Sequence, residues 1–268
     1  MEEKFPMHKQ VNILDVPIDN LSQLELLGKL KDGGILFTPN VDHIVKLQKD
    51  PEFFKAYQSA TYRTCDSQVL VYASKFLNTP ICEKISGSDL FPAFYEHYAD
   101  DEDITIFILG AAEGVAEQAR RRINEHVGRN MVVKAYSPSY GFEQDEQECE
   151  EIIQAINASK ATVLAVGVGA PKQEKWIHKY KDRFEHVKLI MAIGATIDFE
   201  ARRIDRAPKW VSSLGAEWLF RLLKEPRRLW RRYLIDDLPF LWMVLQQKWG
   251  NVTHKPAHQV KLDSQRRV

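Results

Sequence analysis

The sequence predicts an α/β fold, a mostly parallel sheet flanked by helices, with a helical appendage at the carboxyl end. Three observations predict it. Short β-rich apolar runs alternate with helix-period segments as far as about Phe199, the pattern that parallel strands joined by crossover helices produce. From about Arg202 the strand signals stop, and Pro208, Pro226 and Pro239 interrupt a stretch of helical character. Charge divides at the same place: residues 1–200 carry 22 Lys and Arg against 31 Asp and Glu, whereas residues 201–268 carry 15 against 6. The boundary is placed near Phe199, giving an α/β domain over residues 1–199 and an appendage over residues 200–268.

Taken in order, Asn12–Val16 reads as a strand and 21–30 as a helix with Asn20 as its cap. Ile35–Phe37 is the next strand, followed by helices at 43–48 and 51–59. Tyr62–Cys65 is a short strand ending at Asp66, with a helix over 69–76 and another after Gly87-Ser88-Asp89. The second half is more regular. Strands at 104–109, 131–136, 162–168 and 187–193 are separated by helices at 113–127, 144–158 and 172–181.

Composition narrows the function classes. The net charge of zero conceals an acidic body and a basic tail, and five of the six tryptophans (Trp210, Trp218, Trp230, Trp242 and Trp249) lie in the tail. Such asymmetry points to an anionic partner: phosphate, nucleic acid or lipid headgroup. Cys65, Cys82 and Cys149 show no C-x-x-C spacing and read as reduced thiols of a cytosolic protein. The first ten residues lack a signal-peptide core. The apolar run 238–245 is too short to span a bilayer, so a soluble or peripheral protein is expected.

Ligands of open α/β sheets bind at the carboxyl ends of strands, and four such ends carry polar groups. They are Thr38-Pro39-Asn40-Val41-Asp42-His43, Cys65-Asp66-Ser67-Gln68, the turn at Gly110, and Gly167-Val168-Gly169-Ala170-Pro171-Lys172-Gln173-Glu174. Gly110 and Gly169 are candidate nucleotide-binding positions, because strand-end glycines let backbone N–H groups approach phosphate oxygens. They are equally consistent with tight turns that need no ligand. Neither run is G-x-G-x-x-G, which disfavours a dinucleotide-dependent dehydrogenase, and no G-x-x-x-x-G-K-[ST] is present. Asp66 reads either as a helix cap or as a general base beside a cleft. Asp42 and His43 read as first-turn residues. The acidic run 100–103 precedes a strand and reads as solvated, and no histidines show metal-ligand spacing, so no metal site is expected.

Several motifs together resemble the WecG/TagA/CpsF family of bacterial glycosyltransferases. They are Thr38-Pro39-Asn40, Asp66, Gly87-Ser88-Asp89-Leu90, the run from Gly167 to Trp176, Gly194-Ala195, Arg206-Ala207-Pro208-Lys209-Trp210, and the run from Leu214 to Leu222. The resemblance extends from about residue 11 to 235. It implies a Rossmann-like domain, an appendage that completes the active site, and inverting transfer from a UDP-sugar to a polyprenyl-diphosphate-linked acceptor. The donor sugar would be N-acetylmannosamine-like or another hexose, used without a metal or other cofactor in cell-surface polysaccharide synthesis. By position, Asp66 would be the general base, Thr38, Asn40 and Gln173 would line the sugar pocket, and Arg221, Arg228 and Arg231 would meet the donor diphosphate.

The spacing of those arginines lets them share one helix face if Pro226 restarts the helix, and guanidinium groups suit a diphosphate gaining charge. A solvated or lipid-facing basic surface fits the same spacing. The sequence departs from the family pattern in three places. Lys84 stands where arginine is usual, keeping the charge of a substrate contact without the planar fork. Ser67 and Arg202 stand where glycine is usual. The resemblance also implies a cytoplasmic protein at the inner face of the cytoplasmic membrane, with homo-oligomers among its relatives. The alternative class, a nucleic-acid- or anionic-membrane-binding module built on the basic aromatic tail, leaves the acidic body without a role. No nucleic-acid partner is expected.

Overall fold

Val11, Ile13, Val16 and Ile18 alternate with less buried positions and turn one face of an antiparallel hairpin inward. Its strands are β1 (Gln10–Ile13) and β2 (Val16–Asp19). The single strand expected over 12–16 is therefore replaced by a reversal. Leu14 and Asp15 have φ of 51° and 61°, and two central residues at positive φ make the tight connection that matches strand twist. The structure, a computed structural model, describes residues 9–203 and 237–250, together with Phe220, Leu222 and Trp230.

Helix α1 (Gln23–Leu30) starts three residues after Asn20. Ser22 and Glu25 form a reciprocal capping box, which satisfies two otherwise orphaned N–H groups. Asn20 instead ties down the segment after residue 79, donating to the Pro80 carbonyl and accepting from the Cys82 N–H.

The main sheet has six strands: β3 (Gly34–Phe37), β4 (Tyr62–Arg63), β5 (Ile106–Gly110), β6 (Val132–Tyr136), β7 (Val163–Gly167) and β8 (Leu189–Ala192). Their order is β4-β3-β8-β7-β5-β6, and every pairing is parallel. The strands are apolar throughout because both faces are covered. Ile35, Phe37, Leu164 and Val166 point to one core, whereas Leu36, Val163 and Ala165 point to the other. The first core is closed by the hairpin and by α2 (Val41–Leu47), α3 (Pro51–Gln58), α4 (Gln68–Phe76), α7 (Glu146–Ser159) and α8 (Lys172–Tyr180). The second is closed by α1, α5 (Gly87–His97), α6 (Val115–Val127) and α9 (Thr196–Glu200). This is the α/β architecture expected, with α9 an addition too short for periodicity to reveal.

Adjacent strands β3 and β8 send the chain to opposite faces, β3 into α2 and β8 into α9. In open α/β sheets such divergence places a crevice at the carboxyl ends of the two strands, the usual ligand position.

A last described helix, α10 (Leu238–Lys248), returns to the α/β body. Phe240 and Val244 are buried in the first core. Gln247 accepts from the Leu14 N–H at 3.0 Å and donates to the Asn12 carbonyl at 3.1 Å. The opposite side of α10 leaves Leu238, Leu241 and Trp242 exposed, with Trp249 just beyond it. Among the described residues no helix is long and apolar enough to cross a membrane. Gln247→Ala strands the Leu14 N–H at the hairpin turn, so a loss of about 1–2 kcal/mol is expected. It would be read as a drop of a few degrees in melting temperature.

Candidate active site

The β3 crevice is assembled by backbone hydrogen bonds that draw three chain segments together. The Asp66 N–H donates to the Pro39 carbonyl at 2.9 Å, placing Asp66 beside the Thr38-Pro39-Asn40 turn. The Ile85 N–H donates to the Cys65 carbonyl at 2.8 Å, which brings the Lys84 segment alongside. Gly87 then starts α5 directly over the strand ends. A Cβ there would lie 3.4 Å from the Ile193 carbonyl oxygen and 3.6 Å from the Thr38 hydroxyl. Thr38, Asn40, Asp66 and Lys84, distant in sequence, thus share one end of the sheet.

Asp66 does not cap α4. The capping residue is Ser67, whose side chain makes no cap bond, so the helix-cap reading of Asp66 falls. Ser67 has φ −161° and ψ 126°, ordinary extended backbone that needs no glycine. Arg202 differs: its φ of 53° is left-handed, which explains why glycine suits that position. Asn40 caps α2 by accepting from the His43 N–H at 3.2 Å. The Cys65 thiol beside Asp66 is pushed up to about 12 by burial, so it stays a thiol and is no nucleophile at neutral pH.

Behind the crevice lies a buried polar cluster that sequence reading passed over. Asp42 and His43 stand in the first turn of α2, as expected, and both are buried. Asp42 pairs with Lys46 at 2.8 Å, and His43 Nδ1 lies 2.5 Å from the Tyr57 hydroxyl. The phenol of Tyr57 is raised well above its ordinary value, first by burial and then by the charges of Glu174 and Asp66. Glu174, in the first turn of α8, is fully buried, and its carboxyl is raised from 4.5 to about 7, chiefly by desolvation. The sequence contained one signal for this. Gln173, Trp176, Ile177 and Tyr180 form the buried stripe of α8, and Glu174 lies at its edge.

Gln173 is also buried. Its Nε2 donates to Glu174 Oε1 at 2.8 Å, and its Oε1 accepts from the Gly169 N–H at 3.3 Å. Gly110 ends β5, whereas Gly169 lies two residues beyond the end of β7. A Cβ at Gly110 would overlap the Gly167 carbonyl, and one at Gly167 would lie 2.5 Å from the Gly194 carbonyl oxygen. Three strand ends are therefore bare where they approach one another. Around Gly169 the space is open. Arg221, Arg228 and Arg231 lie outside the described residues. A concavity of about 580 Å³ lined by Asp100, Asp101, Glu102 and Asp103 lies at the amino end of β5, and its carboxylates oppose an anionic ligand.

Comparison with known proteins identifies the family. The chain is 29% identical over 202 residues, covering 75% of each sequence, to an N-acetylglucosaminyldiphosphoundecaprenol N-acetyl-beta-D-mannosaminyltransferase of Bacillus spizizenii. The profile of the glycosyl transferase WecG/TagA/CpsF family matches residues 11–254. With a parallel α/β sheet and the Thr38, Asn40 and Asp66 motifs gathered at one crevice, the chain belongs to the WecG/TagA/CpsF family of glycosyltransferases.

Proposed function

We propose that the protein transfers a hexose, N-acetylmannosamine-like or related, from a UDP-sugar to a polyprenyl-diphosphate-linked sugar in cell-surface polysaccharide synthesis. The observation that carries the reading is the position of Asp66: half-buried, at the mouth of the β3 crevice, and tied to the Thr38-Pro39-Asn40 turn. Asp66 takes the proton from the acceptor hydroxyl. That oxygen attacks the anomeric carbon, the bond to the β-phosphate oxygen breaks, UDP leaves, and the configuration inverts. A positioned carboxylate of this kind contributes about 10²–10⁴-fold.

Thr38, Asn40 and Gln173 form the sugar wall of the pocket, and Lys84 supplies a cation beside it. Gly110 and Gly169 border the nucleotide end. Residues 1–199 act as the catalytic domain, and residues 200–268 complete it, with Arg221, Arg228 and Arg231 neutralising the departing diphosphate. The outward Leu238, Leu241, Trp242 and Trp249 suit a surface that rests on the cytoplasmic membrane where a lipid-linked acceptor resides.

The test is acceptor-dependent UDP release. Purified protein is supplied with UDP-N-acetylmannosamine, its uronic acid or UDP-glucose, and with a prenyl-diphosphate-linked N-acetylglucosamine analogue. Release from at least one donor, rising with acceptor, is expected. No release from any of them overturns the reading.

A further inference from the structure

The carboxyl of Glu174 has no role in the transfer chemistry just described, yet it is fully buried, and burying a carboxyl is costly. Adjacent residues on a helix point in different directions and do not normally meet. Here Gln173 and Glu174 bend toward one another to make a bond of 2.8 Å. The second carboxyl oxygen, Oε2, is buried and has no hydrogen-bond partner among the described residues. An apolar side chain of similar size beside Ile177 would avoid that desolvation cost.

What a carboxylate provides and an apolar residue does not is a one-sided acceptor. A glutamine amide has two ends of similar shape, and its hydrogen-bond partners decide which way round it lies. At one end of the Gln173 side chain stands the Gly169 N–H, a pure donor, which requires oxygen. At the other stands the Glu174 carboxylate, a pure acceptor when ionised, which requires the NH₂ group. The Gln173 N–H in turn donates to the Gly169 carbonyl at 3.0 Å, so the same residue closes the turn after β7 from both its backbone and its side chain. One amide hydrogen and one oxygen lone pair of Gln173 remain for a ligand.

We infer that Glu174 is a positioning residue for transfer: it locks the Gln173 amide in one orientation and, through it, the Gly169 turn at the nucleotide end of the crevice. The inference rests on the reading of Gln173 as part of the substrate pocket. Around Glu174 stand the groups that set its charge. Asp42 and Lys46 of α2 act on it in opposite senses, and Tyr57 of α3, hydrogen-bonded to His43, responds to its charge. Near neutral pH the carboxyl is therefore poised between its two forms, and the grip on Gln173 strengthens as it ionises.

Two measurements test this. With ¹⁵N-glutamine labelling, the Gln173 side-chain amide pair is identified by its loss in Gln173→Ala. In the otherwise unaltered protein that pair is expected to shift with a midpoint near pH 7, and the titration is expected to vanish in Glu174→Gln, where an amide can present either end. A Gln173 amide pair that is the same in the unaltered protein and in Glu174→Gln overturns the inference whether or not any donor is turned over. The second measurement is a double-mutant cycle on UDP release. Glu174→Gln should lower kcat by about 10–100-fold, the scale of a misplaced contact, and adding it to Gln173→Ala should cost less than a further twofold. Independent, multiplying losses would show that Glu174 does not act through Gln173. Absence of turnover in the unaltered protein would instead count against the transferase reading, leaving the amide titration to decide the role of Glu174.

Discussion

Asp66→Asn is expected to lower kcat for UDP release by roughly 10²–10⁴-fold, the usual contribution of a positioned general base. The substitution preserves shape and removes the ability to take a proton. It leaves the Asp66 N–H to Pro39 bond untouched, because that bond is made by the backbone. Nor does it remove a helix cap, since Ser67 holds that position. The far-ultraviolet circular dichroism spectrum is therefore expected to be unchanged, and KM for the UDP-sugar to stay within a few fold. A loss confined to kcat indicates an interaction made in the transition state. An Asp66→Asn enzyme as fast as the parent would remove Asp66 from the chemistry, since the adjacent Cys65 thiol, held at about 12 by burial, does not replace it.

Gly110→Ala is expected to destabilise the fold by about 3 kcal/mol or more, as backbone overlap and an unfavourable φ act together. Gly110 has φ 140°, and a Cβ there would run into the Gly167 carbonyl of the neighbouring strand. The drop in melting temperature should be roughly 10 °C for a chain of this size. The result separates the two readings of this glycine. If Gly110 served only to let a phosphate approach, the variant would melt normally and lose donor affinity alone. Gly169 has open space around its Cβ position, so an Ala there tests backbone conformation without a steric clash.

Much of the fold was legible in residue order. Strands β5 to β8 and helices α6 to α8 fall within a few residues of their expected positions, because both cores impose period-2 or period-3.6 burial on long, uninterrupted segments. The hairpin was misread for a specific reason. The buried set Val11, Ile13, Val16, Ile18 changes phase across Leu14-Asp15, and a strand drawn through 12–16 straddles that change. The reversal there depends on two residues at positive φ, Leu14 among them, and on the Leu14 N–H finding Gln247 more than two hundred residues away.

The candidate site residues divide in the same way. Thr38, Asn40, Asp66, Lys84 and Gln173 were identifiable as polar groups at strand ends or by family resemblance. The convergence of Thr38, Asn40, Asp66 and Lys84 depends on parallel pairing of β3 with β4 and β8, and on the bonds from Asp66 to Pro39 and from Ile85 to Cys65. Glu174 lies in the strand-end run from Gly167, where residue order assigned it no role of its own. It is buried because α8 packs against α3 and presents it toward Asp42 and Tyr57.

By itself, then, the sequence determined the α/β class, the strand ends that carry polar groups, and the family. Each follows from local periodicity or from residue types in a fixed order. Only the tertiary structure decided that Asp66 is not a cap, that a Cβ at Gly110 would meet the Gly167 carbonyl, and that Glu174 is a buried acid gripping Gln173. Those properties belong to contacts between segments far apart in the chain, where burial and dielectric, not residue identity, set what a side chain can do.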